Sequence, residues 1–513
     1  MSAKHFLSRL SLLLSQAQTL FAHQEALHTA RFALPHELSP LLAPTLDHPA
    51  SLLLGESPFR QVLRVIPTPT RPELGNLLVI SRTRGGKGLL ATSELLTWQH
   101  SVVVNDIKGE LFARTAGYRQ TLGKVFVIDP TGVGHTFDPL EGRHTEDKLY
   151  SSAKHLLFDP HEKDGVVFTQ RAAKMLTFLF LGAREERIRP LPYARRMIDL
   201  GLKDAARRLQ TLSPRLSTGF LYQPFEDTNF EDDGFLISSW GTLVSRLFPL
   251  LTENVLRCFS GSDFTPESLM CAQRPVTVYL RWPEADLLSL SPLVRLIWES
   301  LIYDLITAYD QRLGKNCKPV LLLMDEAGRS AIPNLPEYAS TVCGRGISLM
   351  VFIQTLSQLD AVYGRARSDD LRNNCESQIY YRPSSQETAE YIERCLGKKS
   401  GFAYSQSTHG ETKTSQASSE QAVPLLSADQ IKRLEDERVI LFHRNLAPFY
   451  ARRMDCRRFA LLRERGRLPA PKLPALPSFE SALSQLTESG ADQPALDPAI
   501  FEWRRGEPYS NYN

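Results

Sequence analysis

Two short motifs in this sequence carry residue types suited to binding and hydrolysing a nucleoside triphosphate. The first is SRTRGGKG at 81–88, which directly follows the apolar run LLVI at 77–80. A glycine-containing loop between a strand and a helix start turns backbone N–H groups toward one anion, and the helix N-terminus adds a partial positive charge. Lys87 is placed to reach the β- and γ-phosphates.

The loop departs from the usual G-x-x-x-x-G-K-[ST] pattern at two positions. Ser81 stands where that pattern has its first glycine, and Gly88 stands where it has the magnesium-binding hydroxyl. Thr83 and Thr92 are the candidate replacements for that hydroxyl. Taken alone, the segment also fits an ordinary turn between a strand and a helix. The predicted phosphate-binding residues are Thr83, Arg84, Gly85, Gly86, Lys87, Gly88 and Leu89.

The second motif is VLLLMDE at 320–326. Its apolar run indicates a strand buried on both faces, and its carboxylates follow at the C-terminal end, where α/β sheets bind ligands. We predict that Asp325 holds Mg²⁺ and that Glu326 orients and deprotonates the attacking water. In the alternative interpretation, Asp325 caps the following turn and Glu326 is solvated. Both motifs together favour a nucleoside triphosphatase.

Two further polar residues lie near a third apolar run, VFI at 351–353. Gln354 ends that run, and beside an acidic strand it is placed to sense the γ-phosphate; a polar strand end facing water is the alternative. Arg345 precedes the run. In a ring-shaped oligomer an arginine there is a candidate finger, which stabilises transition-state charge in the neighbouring subunit. A solvated loop arginine is the alternative.

The elements that position these residues alternate between short apolar runs and helix-length segments, which predicts βαβ units and a parallel sheet. Between 145 and 266 the β-branched runs disappear and helical spacing takes over, so we predict an inserted all-helical domain. The polar segment 400–420 predicts a mobile loop. The strands are predicted at 77–80, 101–106, 124–129, 275–280, 320–326, 348–354, 377–382 and 438–443.

These patterns divide the chain into five predicted parts. They are a helical lead-in and linker (1–74), the first part of a nucleotide-binding domain (75–144), an inserted all-α domain (145–266), the second part of the nucleotide-binding domain (267–460), and a Pro-rich C-terminal tail (461–513).

Composition excludes several classes of protein. The 513 residues are 42% hydrophobic and 23% charged, which argues against a disordered, collagen-like or coiled-coil chain. No apolar stretch reaches the roughly 20 residues that a membrane span needs, and the seven scattered cysteines predict neither a disulfide framework nor a zinc site. The net charge is only +3, but 437–467 holds nine arginines and three acidic residues. That stretch predicts either a surface for DNA or acidic lipid, or a solvated face.

Together these segments resemble the type IV secretion coupling proteins of the TraG and TraD type, over roughly residues 75–455. The resemblance rests on TRGGKG (83–88), SVVVNDIKGEL (101–111), VFVIDP (125–130), FTQRAAKML (168–176), LLLMDEAG (321–328), IQTLSQLDAVYG (353–364) and RNNCESQIYYRP (372–383).

The resemblance implies an α/β fold, a RecA-like P-loop NTPase sheet with an inserted all-α domain. It also implies a homo-hexamer that hydrolyses ATP with Mg²⁺ at subunit interfaces, takes DNA into its central channel, recognises a relaxase or relaxosome, and delivers its substrate to type IV secretion channel components. Lys87 takes the phosphate-binding role, Asp325 and Glu326 the metal and water roles, Gln354 the sensor role and Arg345 the finger role.

Members of that family usually begin with transmembrane helices, whose place residues 1–70 occupy here. We therefore expect a protein at the cytoplasmic face of the inner membrane, held there peripherally by a partner or by the amphipathic stretch Phe6–Phe21. The alternative for that stretch is packing against the motor domain. Two other functions fit the sequence: an FtsK- or HerA-like DNA translocase independent of a secretion channel, and a non-hydrolysing cargo adaptor.

Overall fold

The computed structural model describes residues 28–478, apart from 44, 49, 158–164, 329–331, 333 and 410–412. The side chains of Leu288 and of 402–419 also lie outside the description. The predicted amphipathic stretch Phe6–Phe21 falls outside the described residues.

An 11-stranded sheet forms the centre of the molecule, in the order β2-β1-β13-β12-β9-β3-β8-β7-β4-β6-β5, and β10 and β11 form a separate hairpin. The strands are β1 Leu52–Glu56, β2 Val62–Val65, β3 Leu77–Ile80, β4 Ser101–Asn105, β5 Lys124–Ile128, β6 Val276–Leu280, β7 Val320–Met324, β8 Ile347–Ile353, β9 Ser377–Tyr380, β10 Lys398–His409, β11 Lys413–Pro424, β12 Arg438–His443 and β13 Phe449–Arg452.

The sheet is parallel from β9 across to β5 and antiparallel on its other side. Parallel pairing joins β9, β3, β8, β7, β4, β6 and β5, whereas β12, β13, β1 and β2 pair antiparallel. Every run that the sequence predicts as a strand is a strand. Since β3, β8 and β7 are parallel neighbours, with Ile80 opposite Ile353 and Met324 opposite Val351, their carboxyl ends meet at one edge. That edge positions the site.

Two predictions made from the sequence are wrong at the level of secondary structure. Residues 52–65, expected within a linker, form β1 and β2; a register shift between Leu53 and Gly55 and the surrounding prolines obscure the strand pattern. The described residues of the segment 400–420, which was expected to be a loop, belong to strands β10 and β11, and each residue from Lys398 to His409 pairs across the ladder. Its Ser- and Thr-rich sequence lacks apolar alternation, so backbone pairing leaves no hydrophobic signal there.

Seventeen α-helices of the described residues surround the sheet. They are α1 Lys87–Leu95, α2 Glu110–Leu122, α3 Glu146–Leu157, α4 Val166–Glu185, α5 Pro190–Leu200, α6 Leu202–Leu212, α7 Pro214–Leu221, α8 Gly234–Leu247, α9 Glu253–Cys258, α10 Pro266–Cys271, α11 Leu287–Arg312, α12 Leu335–Thr341, α13 Leu356–Tyr363, α14 Arg365–Asn373, α15 Gln386–Leu396, α16 Ala428–Lys432 and α17 Ala460–Gly466.

The described part of 145–266 contains helices and no strand, as the sequence predicts. Within it, Gly201, whose positive φ of 86° ends α5 and begins α6, divides the helical residues 190–212 into two helices. At the centre of this region, α4 packs against α3, α5, α7 and α8. By length and composition α4 alone among the described helices could cross a bilayer, but 61% of its apolar window is buried inside the protein, as in a core helix.

The sheet has a hydrophobic core on each face. One core joins the helical region to one face of the sheet, through residues such as Leu179, Leu280 and Leu322. The other covers the opposite face and joins β1, β2, α1, α2 and α17, through residues such as Leu90 and Leu462. The strands that bear the site are therefore buried on both sides, which explains their unbroken apolar sequences.

The first part of the predicted tail is packed against the sheet domain. The carbonyl of Leu468 passes so close to Gly117 that a Cβ there would lie 2.3 Å from its oxygen. Further along, Gly134 N donates to Pro474 O (2.9 Å), and Leu476 is buried. The described tail, up to Ser478, thus follows the surface as a fixed segment. The predicted domain boundaries themselves remain predictions.

Candidate phosphate-binding site

The loop between β3 and α1 is held in a tight backbone conformation. Arg84 (φ 60°) and Gly86 (φ 109°) are both left-handed, and a Cβ at Gly85 would lie 2.3 Å from Ser81 Oγ and 2.9 Å from Arg82 O. No side chain of the described residues caps α1, which begins at Lys87. Leu89 N donates to Gly86 O (3.0 Å), whereas the N–H groups of Lys87 and Gly88 have no hydrogen-bond acceptor among the described residues and face the position where an anion binds at a helix start.

Lys87 reaches across the carboxyl edge of the sheet to the acidic pair that follows β7. Its Nζ forms an ion pair with Glu326 Oε1 and lies 3.8 Å from Asp325 Oδ1. The side chains of Lys87 and Glu326 are each only 12% exposed. Because water is largely excluded, this contact is stronger than a surface ion pair. Both predicted motifs therefore belong to one site.

Gln354, at the end of β8, connects the acidic pair to the loop. Its Nε2 donates to Glu326 Oε2 (2.9 Å) and Oε1 (3.1 Å). Thr83 Oγ1 in turn donates to Gln354 Oε1 (3.1 Å). The sheet order explains the contact, because β8 lies between β3 and β7. The structure therefore brings together Thr83, Lys87, Asp325, Glu326 and Gln354.

The environment of Asp325 suits a cation. Burial raises the pKa of this carboxyl to about 6; Lys87 and Lys108 oppose the shift, whereas the nearby carboxylates of Glu326 and Asp106 add to it. Its buried Oδ1 has no hydrogen-bond partner among the described residues. A hard oxygen ligand in excess negative charge is what Mg²⁺ binds. The residues present therefore fit the predicted metal.

Several residues that support the site carry no role in the sequence-based prediction. Asn105 Nδ2, at the end of β4, donates to Asp325 O (2.8 Å), and Gln358 Oε1 accepts from Gln354 N (3.0 Å). Arg453, which follows β13, donates from Nη1 to Gly85 O (3.1 Å). Asn105 could have been found from the sequence, because it is a polar residue at the end of an apolar run. Arg453 could not, because nothing in the sequence distinguishes it from the other eight arginines of 437–467.

The two candidate hydroxyls for the metal lie in different places. Thr83 is in the cluster, through its contact with Gln354. Thr92 is buried in α1, and its Oγ1 has no hydrogen-bond partner in the described part of the chain; it lines a cleft beside α17. At Gly88 an added Cβ would meet nothing within 4 Å, so packing does not require glycine there.

Arg345 is not brought to this site within one chain. It lies in a short 3₁₀ helix (Cys343–Arg345) before β8, whereas Gln354 follows the same strand. A seven-residue strand separates the two by about 20 Å. The guanidinium makes two hydrogen bonds to Asp310, at 2.8 and 3.0 Å. Its predicted role as a finger toward a neighbouring subunit remains a prediction.

In the fold, six of the nine arginines in the stretch 437–467 pair with carboxylates. The positive surface of this stretch is therefore smaller than the count of its arginines indicates. Three partners, Glu376, Glu56 and Asp47, lie far away in the sequence. The pairs are Arg438–Glu435, Arg444–Glu376, Arg452–Glu437, Arg457–Asp455, Arg458–Glu56 and Arg465–Asp47.

Comparison with known proteins identifies the family to which the chain belongs. The sequence profile described as type IV secretory system conjugative DNA transfer matches residues 69–456, which is most of the chain. The chain belongs to this family. Among the family's curated relatives, the conjugal transfer protein TraG of Escherichia coli is 27% identical over 398 residues, which cover 70% of this chain and 61% of that protein. The chain thus spans less than two thirds of that relative's length.

Two solved structures are similar to this chain in fold. The plasmid coupling protein TrwB in complex with the non-hydrolysable ATP analogue ADPNP has a TM-score of 0.60 at 16% identity, covering 89% of this chain and 97% of that one. TrwB in complex with ADP and Mg²⁺ has a TM-score of 0.55 at 16% identity, covering 79% and 87%. The predicted α/β class, with a RecA-like P-loop NTPase sheet and an inserted helical region, is confirmed.

Proposed function

We propose that this protein is an ATP-hydrolysing coupling protein, which recruits a relaxase–DNA complex or a protein substrate and drives it into a type IV secretion channel. The observation that carries the proposal is the cluster of Lys87, Asp325, Glu326 and Gln354 at the carboxyl edge of the sheet. Membership of the conjugative DNA transfer family supplies the biological context.

The arrangement of the side chains supports phosphoryl transfer to water. The free N–H groups at the start of α1 bind the phosphates of ATP, and the Lys87 ammonium neutralises their charge. A triphosphate that takes Lys87 as its partner leaves the Glu326 carboxylate to accept a proton from water. Gln354, whose amide touches both oxygens of that carboxylate, holds it in position and is the proposed sensor of the γ-phosphate.

Mg²⁺ fits this site at Asp325, whose Oδ1 has no hydrogen-bond partner in the described chain. When bound, the ion polarises phosphate oxygens and offsets the charge that develops on them. Asn105 fixes the backbone of Asp325 through its 2.8 Å hydrogen bond, so the carboxylate keeps its place at the strand end. Of the two candidate hydroxyls, Thr83 is the one that lies in the cluster, and we propose it as the hydroxyl that helps to hold the ion.

For the assembly we propose a homo-hexamer, with DNA in the central channel and Arg345 acting on the nucleotide of the neighbouring subunit. To do so, Arg345 exchanges Asp310, which is half exposed, for a phosphate. Relaxosome proteins and channel components are the proposed partners, at the cytoplasmic face of the inner membrane. A TrwB protein in complex with nucleotide and Mg²⁺ is similar in fold, which supports the proposed cofactors.

A mating assay tests the proposal. Donor cells that encode this chain are made to carry Lys87→Ala or Glu326→Gln in its place, and transconjugants are counted per donor. We expect transfer to fall to the level of a donor that lacks the gene, at unchanged protein abundance. The exposed control Lys203→Ala should transfer like the wild type. Wild-type transfer by Glu326→Gln would refute the proposal.

A further inference from the structure

Two of the seven cysteines, Cys271 and Cys317, lie side by side although they are far apart in the sequence. Cys271 is the last residue of α10, and Cys317 lies in the segment between α11 and β7. The two thiols are hydrogen-bonded to each other. Both cysteines are free and half-buried, so the pair is open to chemistry with small molecules from solution.

The backbone holds the two cysteines together on both sides of Cys271. Lys318 N donates to Met270 O (2.9 Å), and Lys318 Nζ donates to Ala272 O (2.8 Å). The residues before and after Cys271 are thus both bonded to the residue that follows Cys317. A disulfide needs neighbouring backbones, with Cα atoms about 4.4–6.8 Å apart. With the backbones paired and the thiols in contact, a bond between the two sulfurs requires rotation of side chains and no movement of a helix or strand.

Charged residues beside the pair affect how readily the thiols ionise. Arg312, the last residue of α11, lies near both thiols and forms an ion pair with Glu267. Burial, followed by the Cys271 thiol, raises the pKa of the Cys317 thiol, and Arg312 opposes this shift. Because the thiolate is the reactive form, exchange at this pair should be faster at about pH 8.5 than at about pH 7.

An open cleft of 580 Å³ lies next to Cys271 and gives a reagent room to approach. Ala272, which follows Cys271, belongs to its lining. The charged residues of the lining are Lys124, Arg274 and Asp263, so positive charge is in excess. Glutathione disulfide carries a net negative charge at neutral pH, and the charge of this cleft therefore suits it.

We propose that Cys271 and Cys317 form a reversible disulfide by exchange with a small-molecule disulfide of the glutathione type. The thiolate of one cysteine attacks a sulfur of glutathione disulfide, which forms a mixed disulfide and releases one glutathione. The thiolate of the other cysteine then attacks the protein sulfur of the mixed disulfide and releases the second glutathione. The two protein thiols are oxidised, glutathione disulfide is reduced to two thiols, and the two protons of the protein thiols pass to them.

The disulfide closes a covalent loop that contains β6 and α11. Because this loop restricts the unfolded chain, the oxidised protein should melt about 2–5 °C higher than the reduced protein. The pair lies at the amino end of β7, whereas Asp325 and Glu326 follow the carboxyl end of that strand. The modification site is therefore independent of the proposed function, and failure of either leaves the other intact.

Peptide mapping of the full chain tests the proposal. The reduced protein is equilibrated at about pH 8 with glutathione buffers of rising oxidised fraction, free thiols are blocked, and tryptic peptides are identified by mass spectrometry. We expect a crosslink between the peptides 258–281 and 316–329, which dithiothreitol removes.

The exposed Cys395, which lies beside Tyr391, is the internal control. It should carry only a mixed disulfide with glutathione. The crosslink should form at an oxidised fraction at least about tenfold lower than this mixed disulfide, because the second thiol of the pair is already in place.

Three variants assign the bond, since Cys258 shares a tryptic peptide with Cys271. Cys271→Ser and Cys317→Ser should each abolish the crosslink, and the remaining cysteine of the pair should carry glutathione instead. Cys258→Ala removes a buried thiol and should keep the crosslink. The wild-type map needs no variant, so the test stands even if one of the variants does not fold.

The proposal is overturned if Cys271 and Cys317 stay reduced, or carry only glutathione, in buffers that fully modify Cys395. A crosslink between these peptides that persists in Cys271→Ser would assign the bond to Cys258 and would equally overturn it. A crosslinked protein that melts at a lower temperature than the reduced protein would show that the fold must distort to form the bond, contrary to the proposal.

Discussion

Lys87 Nζ and the Glu326 carboxylate form an ion pair across the carboxyl edge of the sheet. The pair joins a loop after β3 to the end of β7, two strands away in the sheet. It places the cation that is suited to phosphate beside the carboxylate that is suited to activating water. Each group thus holds the other in position until a phosphate takes the ammonium.

Replacing Lys87 tests whether it binds phosphate and whether it offsets the charge of Asp325 and Glu326. We expect Lys87→Ala to weaken ATP binding by about 100-fold, because a buried charge-assisted contact worth about 3 kcal/mol is lost. Asp325 and Glu326 then lack their shared cation, so the pKa of Asp325 should rise further. Titration calorimetry measures the first effect, with Lys203→Ala as the exposed control. ATP affinity within threefold of the wild type would remove Lys87 from the phosphate site.

Gln354 should affect turnover more than binding. Its amide touches Glu326 and Thr83 and reaches the reaction through them, so Gln354→Ala should lower kcat by about 10²-fold or more and leave ATP affinity within threefold. Steady-state kinetics and direct binding on the same preparation give this split. Gln386→Ala, on the exposed surface, is the control. An equal loss of binding and turnover would mean that Gln354 only stabilises the loop.

Gly88 and Gly85 should respond oppositely to an added side chain. A Cβ at Gly88 meets nothing within 4 Å, whereas one at Gly85 meets Ser81 Oγ at 2.3 Å. We expect Gly88→Ser to fold normally and to lower the Mg²⁺ concentration needed for half-maximal ATP hydrolysis, because the hydroxyl adds a ligand. Gly85→Ala should lose ATP binding. An unchanged Mg²⁺ requirement in Gly88→Ser would show that this position does not face the metal.

Glu94 on α1 should make the stability of the fold depend on pH. Complete burial raises the pKa of its carboxyl to about 7, although Arg64 and the hydrogen bond from Leu53 N oppose the shift. The folded state therefore holds the proton more tightly than the unfolded state, in which the pKa is about 4.3. Stability should be fully present below that value and fall as the pH rises toward 7.

The variant Glu94→Gln keeps an acceptor for Leu53 N and removes the titration. Chemical denaturation between pH 5 and 8 should show the wild type losing roughly 1–3 kcal/mol and the variant losing much less. Glu435→Gln, an exposed carboxylate, should follow the wild type. If the wild type loses no more stability than Glu94→Gln between pH 5 and 8, then burial does not raise the pKa of Glu94.

The sequence predicts most of the parallel sheet, because strands buried on both faces leave unbroken apolar runs such as Val320–Met324. It does not predict β1 and β2, which are short and interrupted by Gly55, or the polar β10–β11 hairpin. In those segments, pairing with distant strands or backbone hydrogen bonding decides the structure, and neither leaves a local pattern.

The same limit applies to the site. Asp325, Glu326 and Gln354 can be found because they follow apolar runs, and Lys87 because it lies in a glycine-containing loop after one. Arg453 cannot, since its contact with Gly85 joins residues far apart in the chain. Counting charges in 437–467 overestimates the positive surface for the same reason. The carboxylates that neutralise Arg444, Arg458 and Arg465 come from distant parts of the sequence.

The most direct test of the central claim is ATP hydrolysis with and without DNA, measured together with ATP binding, for the wild type and for Glu326→Gln. The account predicts that the wild type hydrolyses ATP and that DNA accelerates the reaction. It predicts that Glu326→Gln still binds ATP, with turnover reduced by about 10²–10⁴-fold, as expected for the loss of a general base. Equal turnover by both proteins, or none by the wild type with DNA present, would contradict it.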